Sequence, residues 1–266
     1  MNPSSDVTRR RALVGAAGVT AAVSLTSGGF LATPAAAAGP AATPGAPAPT
    51  GPAPEPFRGD HLKEALREAE ARRRRIHTGR ASANGWEMQK LADADGGDIA
   101  TRSVPGTGLR VAVRTGDVEA VLVHVVRRFH YEVDALGQDG EPHALVGWVA
   151  PGTVRDSRLP ESNQASGTAV VIRPGSYPPG VRGGFTARQQ EVVRDILADT
   201  EGLVRWGGDD DRPYEGLFHL AVRPGDDRLQ RVADRLRAWD ETPGLGAGTL
   251  PDVTEPSRRR RAARYR

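Results

Sequence analysis

Cysteine is absent from the 266-residue chain. Disulfide staples, thiolate metal sites and thiol nucleophiles are therefore excluded, and the fold must be held by its packed interior alone. Past the first segment, no run approaches the ~18 apolar residues that a membrane span requires. No phosphate loop or dinucleotide fingerprint occurs, and Gly183-Gly184 and the other Gly pairs punctuate turns. Ser162 and Ser166 lack the Gly-x-Ser-x-Gly elbow of a hydrolase nucleophile. The histidines supply no helical ligand pair at i, i+4: His124 and His130 are six apart and point to different sides of one helix. Aromatic side chains make up 5% of the chain, and no basic patch interleaved with aromatics marks the folded stretch. That counts against a nucleic-acid partner. Asp209-Asp210-Asp211 lacks the alternating oxygen ligands of a calcium loop and reads as a solvated turn. No repeat of fixed period is present.

What is present begins with a leader. Thr8-Arg9-Arg10-Arg11-Ala12-Leu13 sets paired arginines ahead of an uncharged run from Ala12 to Leu31. Ala36-Ala37-Ala38 then offers the small residues of a cleavage site. Residues 1–38 read as a twin-arginine signal peptide, so the mature protein is expected to be secreted or held in the cell envelope, with no membrane span after cleavage. Residues 39–56, almost wholly Ala, Pro, Gly and Thr, cannot bury a core and read as an extended spacer. Residues 57–248 remain for a single domain, its core at about 109–239. The net charge of +3 comes from the ends, because the stretch between them is mildly acidic. Residues 249–266 read as a basic, disordered tail.

Periodicity gives the elements. Asp60 to Ile76 reads as a helix with Leu62, Ala65, Leu66 and Ala69 on one face and Arg72 to Arg75 at its C-terminal end. Leu109–Arg114, Ala144–Val149, Thr168–Ile172, Leu203–Trp206 and Leu217–Val222 read as strands. After Gly116-Asp117, Val118, Val121, Leu122, Val125, Phe129 and Val133 recur at three and four, the buried stripe of a long helix. Thr186 with Gln189 forms a capping box before a helix that buries Val192, Val193, Ile196 and Leu197. Asp226 caps a last helix burying Leu229, Val232, Ala233, Leu236 and Trp239. Helices and short strands without regular alternation predict an α+β fold with a small, largely antiparallel sheet flanked by helices.

One stretch is more specific than the rest: Ser162-Asn163-Gln164-Ala165-Ser166-Gly167-Thr168-Ala169-Val170-Val171. It resembles the first metal motif, S-x-H-x-x-G-x-A-x-D, of the zinc D-Ala-D-Ala carboxypeptidases, whose fold is shared with the Hedgehog signalling domain. Ser162, Gly167 and Ala169 match its frame. Val204-Arg205-Trp206-Gly207-Gly208-Asp209 resembles the strand and turn that lead to the second motif, where a carboxylate base stands three residues before a zinc-binding His. The resemblance implies a Hedgehog/DD-peptidase-like domain. It also implies ligand positions at Gln164, Val171 and Leu217 and a base position at Tyr214, and none of these side chains can serve. Zinc takes His nitrogen, Cys sulfur or carboxylate oxygen, three from the protein in a catalytic site. A slip of one or two residues would bring Glu215 and His219 into the second motif and recover one His.

The expectation is thus a secreted, non-catalytic, peptidase-like protein without metal or cofactor. Its groove would bind a peptidoglycan stem peptide or an envelope protein through Arg155, Ser162, Asn163, Gln164 and Trp206. In the family an upstream Arg steadies the substrate carbonyl, the role implied for Arg155. The plainer reading of Ser162 and Gln164 is that they only satisfy loop backbone groups. Two alternatives stay open: a cell-wall carboxypeptidase with a rearranged site using Glu215 or His219, and a structural envelope protein working through its spacer and tail.

Overall fold

The computed structural model describes residues 59–265, so the leader at 1–38 and the spacer at 39–56 lie outside the described residues. The chain is α+β. In order it forms α1 (Gly59–Ile76), β1 (His77–Ala81), β2 (Glu87–Gln89), β3 (Ile99–Ser103), β4 (Arg110–Arg114), α2 (Asp117–Glu132), β5 (Leu145–Val146), β6 (Ala169–Ile172), α3 (Ala187–Asp199), β7 (Val204–Trp206), β8 (Leu217–Leu220), α4 (Asp227–Glu241) and α5 (Pro256–Ala262). Among these helices none is long and apolar enough to cross a membrane.

The central sheet runs β5-β6-β8-β7, antiparallel throughout. Its register decides which side chains meet. Val170 faces Phe218 across β6 and β8, and Trp206 faces Phe218 across β7 and β8. Because side chains alternate along a strand, Val170, Ile172, Phe218, Leu220, Val204 and Trp206 enter the main core beneath the helices. The predicted α2 stripe meets them: Val121, Leu122, Val125 and Phe129 are fully buried. Burial of each such side chain is worth about 1.5–3 kcal/mol. Phe129 lies 5.8 Å from Phe185 and 6.0 Å from Phe218 between ring centroids, an aromatic centre for the layer. The α3 capping box and the Asp226 cap of α4 form as expected.

Ala169, Val171 and Leu217 point to the other face of the sheet, where they form a small separate apolar cluster covered by Tyr214. β1, β2 and β3, which periodicity does not reveal, form the hairpin β1–β2 and the partner of the expected strand β4, whose Val111 and Val113 enter the main core. Burial extends upstream of residue 109, with Met88 on β2, Ile99 on β3 and Val104 after β3 all buried, the last in the main core.

The tail corrects the sequence reading. Residues 256–262 form α5, which packs on α3, and Val253 and Ala262 are buried. The arginines that suggested a solvated run are held instead by carboxylates. Arg258 pairs with Asp195, and Arg261 Nη2 donates to Asp199 Oδ1 at 2.6 Å. The domain therefore continues past 248. α1 is a helix as predicted, but its apolar face stays open, with Leu62 and Leu66 exposed.

Candidate functional site

The motif segment Pro160–Ser166 winds as a 3-10 run and closes at Gly167, whose φ is +69°. That left-handed conformation suits glycine, and a Cβ there would stand 2.7 Å from the Arg114 backbone nitrogen. The segment is clamped by the turn after β1. Ala83 N donates to Ser162 Oγ at 2.9 Å, and Asn84 N to Asn163 Oδ1 at 3.1 Å. Ser82 Oγ bonds Ser166 Oγ at 2.8 Å, and Asn84 Nδ2 donates to Thr168 Oγ1 at 2.9 Å. Arg114 adds a bond from Nε to the Ser166 carbonyl. Ser162 and Asn163 are thus buried and their polar atoms are spent inside the fold. Of the five residues expected to bind a ligand, these two shape the loop instead.

Gln164 sits differently. Its Nε2 donates to the Gly147 carbonyl at 2.9 Å, beside β5, while among the described residues its Oε1 has no hydrogen-bond partner. It lines a cleft of about 440 Å³ together with Arg155, Glu161, Ser162, Pro179 and Arg212. Arg155 is exposed and makes no ion pair among the described residues. Arg212 stands 3.9 Å from Glu161 at the rim. Sequence reasoning passed over Arg212 and Pro179. One follows the triple-Asp turn and the other sits in a Pro/Gly-rich loop, neither of which carries a periodic signal.

Trp206 is not in this cleft. The register puts it on the helix-covered face, where it stacks 5.6 Å from Phe185, lies beneath Arg194 and donates from Nε1 to the Glu215 carbonyl at 2.6 Å. Trp206 is therefore a core side chain with one edge on a second cleft beside β7, away from Arg155 and Gln164.

The positions matching the family's ligands do meet in part. Val171 and Leu217 are direct cross-strand partners, and Tyr214 packs against them. Burial, with Glu161 adding to it, pushes the Tyr214 phenol up to about 12, so it stays protonated and cannot act as a base. Two aliphatic side chains and an amide already bonded to Gly147 do not fit zinc. Nor do the described residues bring three His, Asp or Glu together elsewhere as a metal site.

The residues of the slipped alignment are also engaged. Both Glu215 oxygens are capped by backbone amides, Gly183 N at 2.9 Å and Gly184 N at 2.7 Å. The carboxylate therefore pins the Pro/Gly-rich loop and is not a free base. His219 is buried, and loss of water drives its pKa down to about 4. Asn163 Nδ2 faces its Nδ1 at 3.3 Å. The cleft thus offers the Arg155 and Arg212 guanidiniums, the Gln164 carboxamide oxygen and an apolar wall, together with two carboxylates, Glu161 facing Arg212 and Asp156 paired with Arg158. Compared with protein-family models, with curated proteins and with solved structures, the chain matches none.

Proposed function

We propose that this is an exported, metal-free relative of the zinc D-Ala-D-Ala carboxypeptidases that holds the carboxylate end of a short cell-wall peptide without cleaving it. The observation that carries the reading is the cleft where Arg155, without an ion-pair partner among the described residues, stands with the open Oε1 of Gln164, while Arg212 faces Glu161 at the rim. Guanidinium forks match a carboxylate in charge and geometry, and a carboxamide oxygen can accept a peptide N–H. The motif frame around Gly167 supports the kinship, and the apolar Val171–Leu217 pair in place of ligands supports the lack of chemistry.

Calorimetry with a stem pentapeptide ending in D-Ala-D-Ala tests the binding. The free acid should bind, the C-terminal amide should bind at least about tenfold more weakly, and Arg155→Gln should erase the difference. Equal binding of acid and amide, release of D-Ala, or one zinc held per purified chain would overturn the proposal. Kinship has its own test: Gln164→His, Val171→Asp and Leu217→His together should create a zinc site. Zinc should then raise the melting temperature of the triple variant and leave the parent unchanged.

A further inference from the structure

Away from the groove, α2, α3 and α5 share a buried charge network with a second opening beside it. A cleft of about 270 Å³ lies among His124, Arg128, Asp199, Trp239, Arg258 and Arg261, under the Gly-rich segment that leads to α5. The formal charges balance, with Arg128, Arg258 and Arg261 against Glu132, Asp195 and Asp199. Donor by donor, they do not. Arg128 spends Nε on Glu132, Nη1 on Asp199 and Nη2 on Glu132 and Asp195. Arg258 gives Nε and Nη2 to Asp195, and Arg261 gives Nη2 to Asp199.

What remains is a set of donors without acceptors. His124 is only 2% exposed and neither ring nitrogen meets the geometry of a hydrogen bond; Nε2 stands 3.5 Å from Asp199 Oδ2. The Nε of Arg261 is buried and also unpaired. An orphaned buried donor destabilises the fold unless something in the cleft accepts from it. Asp199 Oδ2, the carboxylate oxygen nearest the ring, already accepts from Arg128, and an acceptor brought from outside would complete the set.

We propose that this cleft binds a small oxyanion, received by the His124 ring and by the unspent nitrogens of Arg261 and Arg258. Its oxygens complete the donor set on α2 and α5 at once, so the bound anion fastens the C-terminal segment to the domain. Phosphate or sulfate and a carboxylate share this chemistry, and titration separates them. The full chain is titrated calorimetrically with sodium sulfate, inorganic phosphate and acetate, each against chloride at equal ionic strength. Saturable one-to-one binding of sulfate or phosphate is expected, weakened about tenfold by Arg261→Gln and unchanged by Arg260→Gln, whose side chain is exposed on the same helix. Acetate binding with the same Arg261 dependence keeps the site and makes a carboxylate its ligand. No heat beyond chloride, or binding that Arg261→Gln leaves intact, would overturn it. Because Arg261 is half exposed, that variant reads the site even if His124→Gln fails to fold.

Discussion

Glu215 and Gly167 each hold a loop by a single constraint. The two amides on Glu215 fix the 174–184 segment over the sheet, and Gly184 leaves no room for a side chain beside Tyr177. Glu215→Gln places an amide N–H against one of two N–H donors. We expect it to lower unfolding stability by about 2 kcal/mol, read as a shift in urea midpoint at constant m-value. The same residues explain what could be read from the chain beforehand. The loop before the strand at 168–172 was legible around Ser162 and Ser166, and Gly167 closes it at a left-handed turn, which is a local requirement. The motif spacing could not tell that the Ser162 hydroxyl answers Ala83, or that Trp206 turns toward the helices. Those depend on partners far along the chain and on strand register, and a one-residue change of register reverses a side chain's face.

At the scale of elements, the legible helices were those with a long apolar stripe or a cap, α2, α3 and α4. β4 was legible from its alternation, but β1, β2 and β3 escaped notice because they are short and mostly polar: β1 buries no residue fully and β3 only Ile99. α5 escaped for a different reason. Four consecutive arginines resemble a solvated run, and the acids that pair with three of them, Arg258, Arg259 and Arg261, lie on α3. The ion pairs give α5 a measurable weight. Arg258→Ala leaves Asp195, which is almost fully buried, sharing Arg128 with Asp199 and Glu132. We expect a loss of about 3 kcal/mol in chemical unfolding. Arg260→Ala, on the exposed side of the same turn, should change nothing measurable.

For the whole molecule, two buried groups set the response to acid. His219 is held down at about 4 by burial, below its ordinary 6.5. The unfolded chain therefore takes up a proton in that interval while the folded one does not, and stability falls as pH drops from 6.5 toward 4, by up to about 3 kcal/mol. Asp199 behaves as a depressed carboxylate. Burial alone would raise it, but the facing His124 imidazole and the Arg128 and Arg261 guanidiniums outweigh that and hold it at about 2, against an ordinary 3.8. Its contribution is present above the ordinary value and is lost as pH falls from 3.8 to 2, by about 2 kcal/mol. Melting temperatures across this range should fall in two stages. His219→Gln should flatten the first stage, and Asp199→Asn should flatten the second.

The charge network has a consequence in time as well as in energy. Asp195 is translated 63 residues ahead of the Arg258 that pairs with it. During that interval α2 and α3 have three carboxylates gathered around one guanidinium, and like charge holds their interface open. The nascent chain can collect its hydrophobic layer early, but α3 lacks the Arg258 and Arg261 partners of Asp195 and Asp199 until α5 emerges. Completion of the fold is thereby postponed to the late part of synthesis. A chain stalled before Arg258 should be digested by protease at α3 while the finished chain resists.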